Sequence, residues 1–288
     1  MTEAALCPLC QIPGKHQFTQ SDLFCGIPGT FGQCLCPECG SYFQSPRVPE
    51  AQIAEYYPSE YQPYAPPGNG LIDRAAALLS LGSRRRRIVE RFVTSGNILD
   101  VGAGNGAFLA SLTEARWTRF ALDIERHCDY PFTKCRFDRE QPSLPPMDAI
   151  TLWHVFEHFY HPEAALENAA RLLKPGGHLF LAIPDLRCIE RILFGSSWIG
   201  WDPPRHVATY SATAMEKFIR QAGLKPAAVL ADHCNGGMIA LNIEFALRSR
   251  GVKLDLQNNL PLRLLTTPLA MLTSRVSLAP AKVYVARR

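Results

Sequence analysis

The 288-residue sequence contains no apolar run long enough to cross a bilayer. Its longest stretch without Asp, Glu, Lys or Arg, Leu23–Pro37, carries glycine, proline, glutamine and threonine. That falls short of the roughly 18 apolar residues a spanning helix needs, so no transmembrane segment is expected. The opening residues Met1–Cys7 have neither a basic n-region nor an apolar h-region; no secretory signal is expected, and the expected location is the cytoplasm. Basic residues are scarce at the front. Residues 1–72 hold only Lys15 and Arg47 against six acidic side chains, a net of −4, in a chain whose overall net charge is only +4. A phosphate-binding surface needs the opposite sign, so a nucleic-acid partner is not expected. Disorder is not expected from a composition of 47% hydrophobic and 19% charged residues, which can bury a core in one large domain or two unequal ones.

Cysteine, by contrast, is plentiful and unevenly placed: six of ten lie in the first 40 residues. Cys7-Pro8-Leu9-Cys10 and Cys36-Pro37-Glu38-Cys39 are two C-x2-C knuckles 25 residues apart. Four thiolates so spaced can close a tetrahedral structural zinc site, and a segment of about 40 residues needs such a staple because it buries too little apolar surface alone. Free thiols in a loop would leave both pairs unexplained. Cys34 is the main rival ligand and Cys25 a weaker one. Ser45–Gly70, rich in proline and tyrosine, reads as an irregular connector in which Glu50–Tyr57 could form a short helix. A helical segment over Ile72–Val93 carries Arg84–Arg87, four arginines that point in four directions around a helix and so read as a solvated surface, with an anionic contact as the alternative.

From Gly96 onward, short apolar runs alternate with amphipathic segments, the pattern of a doubly wound α/β sheet. Asn97–Val101 reads as a first strand running into Gly102-Ala103-Gly104-Asn105-Gly106 and a helix over Ala107–Ala115. A strand entering a glycine-rich turn at a helix N-terminus lets backbone approach a cofactor closely. The next strand, Arg119–Leu122, ends in Asp123, whose carboxylate is placed to accept from a ribose diol. Phe137-Asp138 ends a third strand that would flank a base, Asp148–Trp153 is a fourth, Pro162–Leu173 a helix, and His178–Ile183 a fifth strand. A dinucleotide fold is the weaker reading, because its fingerprint is G-x-G-x-x-G whereas this turn is G-x-G-x-G preceded by Asp100.

Ile98 through Gly106, Asp123, and the run from Glu157-His158 through Leu172-Leu173-Lys174-Pro175-Gly176-Gly177 resemble class I S-adenosylmethionine-dependent methyltransferases over about residues 96–230. With the knuckles, Tyr56-Tyr57 and Asp202-Pro203-Pro204-Arg205-His206, the chain is similar to bacterial zinc-ribbon methyltransferases of the methyltransferase-23 type, and more distantly to ubiquinone-pathway O-methyltransferases. The resemblance implies a Rossmann-like seven-stranded sheet whose last strand is antiparallel, with Ala227–Ala231 and Lys282–Ala286 as strands six and seven and residues 236–280 as a long insertion. The organisation expected is a zinc ribbon at 1–48, a connector and helical segment at 49–95, and a methyltransferase domain at 96–288. S-adenosylmethionine is the implied cofactor, on Asp100, Gly102, Gly104, Gly106, Asp123, Asp138 and Trp153; zinc is structural, on Cys7, Cys10, Cys36 and Cys39.

His154-Val155-Phe156-Glu157-His158 also matches H-x-x-E-H, an inverted zinc-protease motif that requires both histidines on one helical face. Placement of His154 at a strand tip argues against it. Ubiquinone-pathway relatives carry an acidic residue before Glu-His at the matching place, where this chain has His154. His154, Glu157 and His158 should lie beyond the strands' carboxyl ends, between cofactor and acceptor, and a histidine there could take the proton of an acceptor hydroxyl. The bland alternative is that Glu157 orients the following helix and His158 packs. Trp198–Trp201 and Asp202–His206 form an expected acceptor-side loop, with His206 as an alternative base and Arg205 as an anion clamp. Residues 260–279 read as a lid or packing segment, with a dimer contact or weak membrane-surface contact as alternatives. Methyl transfer to a small-molecule or glycan acceptor, at oxygen or next at carbon, is the expected function. The alternatives are a ribosomal or transfer RNA methyltransferase and a non-catalytic, cofactor-binding zinc adaptor.

Overall fold

The computed structural model describes residues 2–58, 81–232, 236–252, 254–256, 259, 261–262, 265–268, 272 and 278–288. In chain order it forms β1 (Lys15–Gln20), β2 (Phe31–Leu35), β3 (Tyr42–Gln44), α1 (Leu81–Val89), β4 (Gly96–Val101), α2 (Ala107–Ala110), β5 (Trp117–Asp123) and β6 (Phe132–Lys134). There follow β7 (Met147–Trp153), α3 (Pro162–Leu172), β8 (Leu173–Pro184), α4 (Ile189–Phe194), β9 (Ala208–Thr209), α5 (Ala212–Gln221), β10 (Lys225–Asp232), α6 (Gly236–Arg248) and β11 (Ala281–Arg287). The chain divides into two compact units: residues 1–58, 183–215 and 230–283, and residues 59–182, 216–229 and 284–288.

The expected seven-stranded sheet is present, in the order β10-β11-β8-β7-β4-β5-β6. β4 pairs in parallel with β5 and β7, β5 with β6, and β7 with β8. β11 runs antiparallel to β8: Gly176 N–H donates to Arg288 O at one end, and Asp185 N–H to Pro280 O at the other. The central strands are apolar without alternation because a parallel sheet is covered on both faces; Ile98, Leu99, Val101, Ile150, Leu152 and Leu179–Ile183 are all buried. β8 begins at Leu173, earlier than the sequence suggests, so the Lys174–Gly177 turn signal lies inside a strand that shifts register between Met147 and Ala149 of its partner.

Two expected elements are shorter. The helix after the glycine turn stops at Ala110 instead of Ala115. Ser111 Oγ donates to Phe108 O at 2.6 Å and to Gly82 O at 3.1 Å, and the N–H groups of Ser111 and Leu112 reach back three residues rather than four. A serine that bonds its own preceding turn tightens and ends a helix. The third strand ends at Lys134, so Asp138 lies in the turn beyond it rather than at its tip. Of the helical segment expected over Ile72–Val93, residues 81–89 are observed and 72–80 fall outside the described residues; most of 260–279 does as well.

In the unit holding the N-terminus, β1, β2, β3 and β9 form a four-stranded sheet in that order, antiparallel at each step. Glu50–Tyr56 is a short 3-10 helix. Trp198, Trp201, Leu186 and Cys188 pack with Phe18 and Tyr42, and the Trp201 ring lies 4.9 Å from Tyr42 and 5.3 Å from Phe18.

Candidate active site

Gly102, Gly104 and Gly106 all take positive φ, at 69°, 50° and 75°. Two of them also leave no room for a side chain: a Cβ on Gly102 would come within 2.3 Å of Val155, and one on Gly106 within 2.9 Å of both Cys128 and Tyr130. The turn is fixed from the neighbouring strand. Asp123, at the end of β5, accepts from Gly104 N–H at 2.9 Å through one carboxylate oxygen and from Ile124 N–H at 2.8 Å through the other. Burial pushes the Asp123 carboxyl up, and these two backbone donors oppose it.

Asp100, one residue before Val101 ends β4, is buried and accepts from Thr151 Oγ1 at 2.6 Å. Burial pushes its carboxyl up to about 7; the Thr151 bond and the Arg85 charge pull the other way, and the Asp123 charge adds to the rise. Trp153, at the end of β7, is buried, and its indole N–H has no hydrogen-bond partner among the described residues. The Arg85 guanidinium sits 4.8 Å from the Trp153 ring centroid, and Phe108 meets the same ring edge-on at 5.2 Å. Arg85 was not foreseen as part of this group. Its signal is in the sequence all the same: Arg85 stands three residues before the apolar Ile88, so it shares the face of α1 that Ile88 buries. The solvated reading of the arginine run therefore needs correction. Arg84, Arg85 and Arg86 are half-buried, Arg86 donates to Ser111 O at 2.9 Å, and only Arg87 is exposed.

His154 takes a left-handed φ of 58°, and Phe156–His158 is a single 3-10 turn. The two histidines are thus not a helical pair, which removes the protease geometry. Glu157 is fully buried, its Oε1 3.2 Å from His154 Nδ1. His158 is half-buried and its N–H donates to Val155 O at 3.0 Å. Asp138 Oδ2 accepts from the N–H groups of Tyr160 at 3.1 Å and His161 at 3.4 Å, tying down the entry to α3.

Four sulfurs come together in the other unit. The ligand atoms of Cys7, Cys10, Cys36 and Cys39 lie within 4.8 Å of one another, with Cys7 and Cys39 Sγ 3.6 Å apart. A tetrahedron of thiolates about 2.3 Å from zinc has edges of about 3.8 Å, so this donor set fits that ion. The knuckles share one backbone pattern. Gln11 N–H donates to Cys7 O and Gly40 N–H to Cys36 O, while Cys7 N–H reaches Ile12 O and Cys36 N–H reaches Ser41 O. Gln11 and Gly40 occupy equivalent positive-φ positions, at 54° and 71°. Neither rival cysteine is in the group: Cys34 Sγ donates to Ser45 O at 3.5 Å, and Cys25 lies beside the Asp22, Asp202 and Arg205 charges.

Arg205 is not an anion clamp. It is wholly buried, and its five N–H donors are spent on Asp22 (2.7 and 3.0 Å), Asp202 (2.6 and 3.0 Å) and Tyr56 O (3.1 Å). Its neighbour His206 belongs to the same unit, with Nδ1 2.9 Å from Gly200 O.

The sheet order and the glycine-turn, strand-tip carboxylate arrangement define a Rossmann-like class I methyltransferase fold. Residues 73–229, more than half the chain, match the model of the methyltransferase-23 family, described as a methyltransferase domain; the chain belongs to this family. It is 25% identical over 159 residues to a ubiquinone biosynthesis O-methyltransferase of Vibrio vulnificus, a match spanning 50% of this chain and 66% of that protein. A protein of the same name from Vibrio parahaemolyticus is 27% identical over 139 residues, 43% of this chain and 58% of the relative. The chain thus covers just under two thirds of the first relative's length. Among solved structures, a 1,6-didemethyltoxoflavin N1-methyltransferase of Burkholderia thailandensis aligns over 95% of this chain and 99% of its own, with TM-score 0.50 and 12% identity. A geranyl diphosphate C-methyltransferase of Streptomyces coelicolor aligns over 84% and 98%, with TM-score 0.50 and 11% identity. These two likenesses concern the fold alone. Among the described residues no helix is long and apolar enough to cross a membrane.

Proposed function

We propose that this protein transfers the methyl group of S-adenosylmethionine to a small-molecule or glycan acceptor, at oxygen in preference to carbon, and works in the cytoplasm. The observation that carries the reading is the Asp123 carboxylate bound across to Gly104 N–H, which joins an acidic strand tip to a turn whose Gly102 and Gly106 leave no room for a Cβ. The residues fit the cofactor on a second count: the Trp153 indole N–H, at the end of the strand paired with β4, has no partner among the described residues, and a buried donor left unsatisfied costs about 1–3 kcal/mol, which a ligand acceptor would remove.

In this reading, Asp123 receives the ribose hydroxyls, and Gly102, Gly104 and Gly106 give backbone access. Asp100 and Trp153 line the amino-acid end, and Asp138 borders the base through the turn it holds. The cofactor supplies an electrophilic methyl group, and the acceptor must lie in line with it. His154, Glu157 and His158 are assigned to the acceptor side. With its proton on Nδ1 toward Glu157 Oε1, His154 presents Nε2 to take the acceptor's proton, an arrangement in which one group orients the base. His158 is the second candidate base, and His206 the third. Cys7, Cys10, Cys36 and Cys39 are assigned a structural zinc ion that staples the 1–48 module to its fold; the connector at 49–95 and the transferase domain at 96–288 complete the organisation.

Calorimetric titration with S-adenosylmethionine, S-adenosylhomocysteine and NAD, on wild type and Asp123→Ala, tests the reading. Saturable binding of the first two, weakened at least about 100-fold in the variant, is expected from the loss of charge-assisted bonds to a diol. Binding of NAD alone, or undiminished affinity in Asp123→Ala, overturns it.

A further inference from the structure

Nine large hydrophobic side chains are exposed among the described residues, and four of them lie on two short stretches of one unit: Ile192 with Leu193, and Val252 with Leu254. α4 explains the first pair. Cys188 caps this six-residue helix by accepting from Arg191 N–H, Glu190 is buried, and Phe194 packs against the Trp198–Trp201 cluster, so Ile192 and Leu193 are left outward at 68% and 64% exposure. The second pair lies in the loop after α6. That loop meets the end of α4, because Ser249 Oγ, one residue past α6, is 3.1 Å from Ser197 Oγ, three residues past α4. Leu256 N–H is held by Glu244 Oε2 at 2.9 Å, which fixes the loop on α6.

The charge around these apolar tips has one prevailing sign. Arg187 is 69% exposed and Arg250 is exposed, while Arg191 is half-buried with its Nε–H donated to Leu186 O. The acidic groups of the same elements are mostly withdrawn: Glu190 and Glu244 are buried, Asp185 is buried beside Arg187 and Lys282, and Asp255 is the exposed exception. We infer that α4, together with residues 249–252 and 254–256, forms an interfacial contact with an anionic lipid bilayer, the aliphatic tips entering the headgroup boundary and the exposed arginines meeting lipid phosphates. Protruding apolar residues on two short stretches, flanked by Arg187 and Arg250, suit a soft planar anionic surface: insertion supplies the apolar term and charge the attraction, and neither suffices alone.

Flotation of the 288-residue chain, zinc-loaded, with vesicles of pure phosphatidylcholine, and of phosphatidylcholine with one third phosphatidylglycerol, tests this. Wild type is expected to float with the anionic vesicles only, to be released by 0.5 M NaCl, and to lose at least tenfold in partition on Ile192→Asp/Leu193→Asp or on Arg187→Glu/Arg250→Glu. S-adenosylhomocysteine affinity, unchanged in the first double variant, reports that the fold is intact. Absence of wild-type flotation, or partition unchanged in both double variants, overturns the proposal. So does a concentration-dependent dimer that Ile192→Asp/Leu193→Asp dissociates, which would make a second copy the occupant of the patch.

Discussion

Asp100 is held in a form its chemistry resists. A carboxyl with an ordinary value of 3.8, raised by burial to about 7, keeps a proton in the folded protein that the unfolded chain gives up. The sign follows: its contribution is fully present below about pH 4, and stability is lost as the pH rises from there through 7, where the folded state must ionise a buried group. The full loss is about 4 kcal/mol, taken as an upper bound. Asp100→Asn is therefore expected to match wild type in urea denaturation at pH 4.5 and to exceed it by up to a few kcal/mol at pH 8, while weakening S-adenosylhomocysteine binding. Equal stability of the two proteins at both pH values would show that the carboxyl is not strained. Raised carboxyls held beside a ligand turn are a mark of functional sites, because evolution tolerates the cost only where binding recovers it.

At the scale of elements, the cysteine knuckles give the sharpest expectation. Cys36→Ser removes one of four sulfurs within 4.8 Å and is expected to drop the zinc content, read by plasma mass spectrometry, from one ion per chain toward zero. The thermal midpoint should fall by several degrees, whereas Cys34→Ser, outside the cluster, should keep its metal. Full zinc in Cys36→Ser would remove the assignment. What made this element legible is local: C-x2-C spacing encodes ligand geometry by itself, as the run Ile98–Gly106 encodes a strand, a positive-φ turn and a helix start. Contacts between distant parts of the chain were opaque. Nothing near Arg205 announces that its donors are consumed by Asp22, 183 positions away, and so a buried ion triad read as a ligand clamp. Asp138 was misplaced for a similar reason, since only the fold shows that its carboxylate serves the Tyr160–His161 backbone. The arginine run shows a third cause: charge suggested solvent, while Arg85 lies one helical turn from the buried Ile88 and that spacing decided its outcome.

For the whole molecule, the sheet topology says where a cofactor belongs but the chemistry of the turn says which one. A dinucleotide must place a pyrophosphate against backbone N–H groups at a helix N-terminus. Here α2 is a single turn of four residues, and Gly104 N–H, the donor at the middle of the glycine turn, is already engaged by Asp123. A carboxylate aimed at that turn repels two phosphates and welcomes a sulfonium and a ribose diol. Linkage turns this into a measurement on the intact protein. A ligand present at 100 times its dissociation constant stabilises the fold by about 2.7 kcal/mol, worth roughly 5 °C in thermal midpoint for a chain of this size. S-adenosylmethionine and S-adenosylhomocysteine are expected to produce that rise in a melting experiment, and NAD at the same concentration none. The rise should vanish in Asp123→Ala and persist in Cys34→Ser. A midpoint raised by NAD as much as by the sulfonium would mean that the turn cradles phosphate after all, and that the Asp123 bond to Gly104 opens on binding.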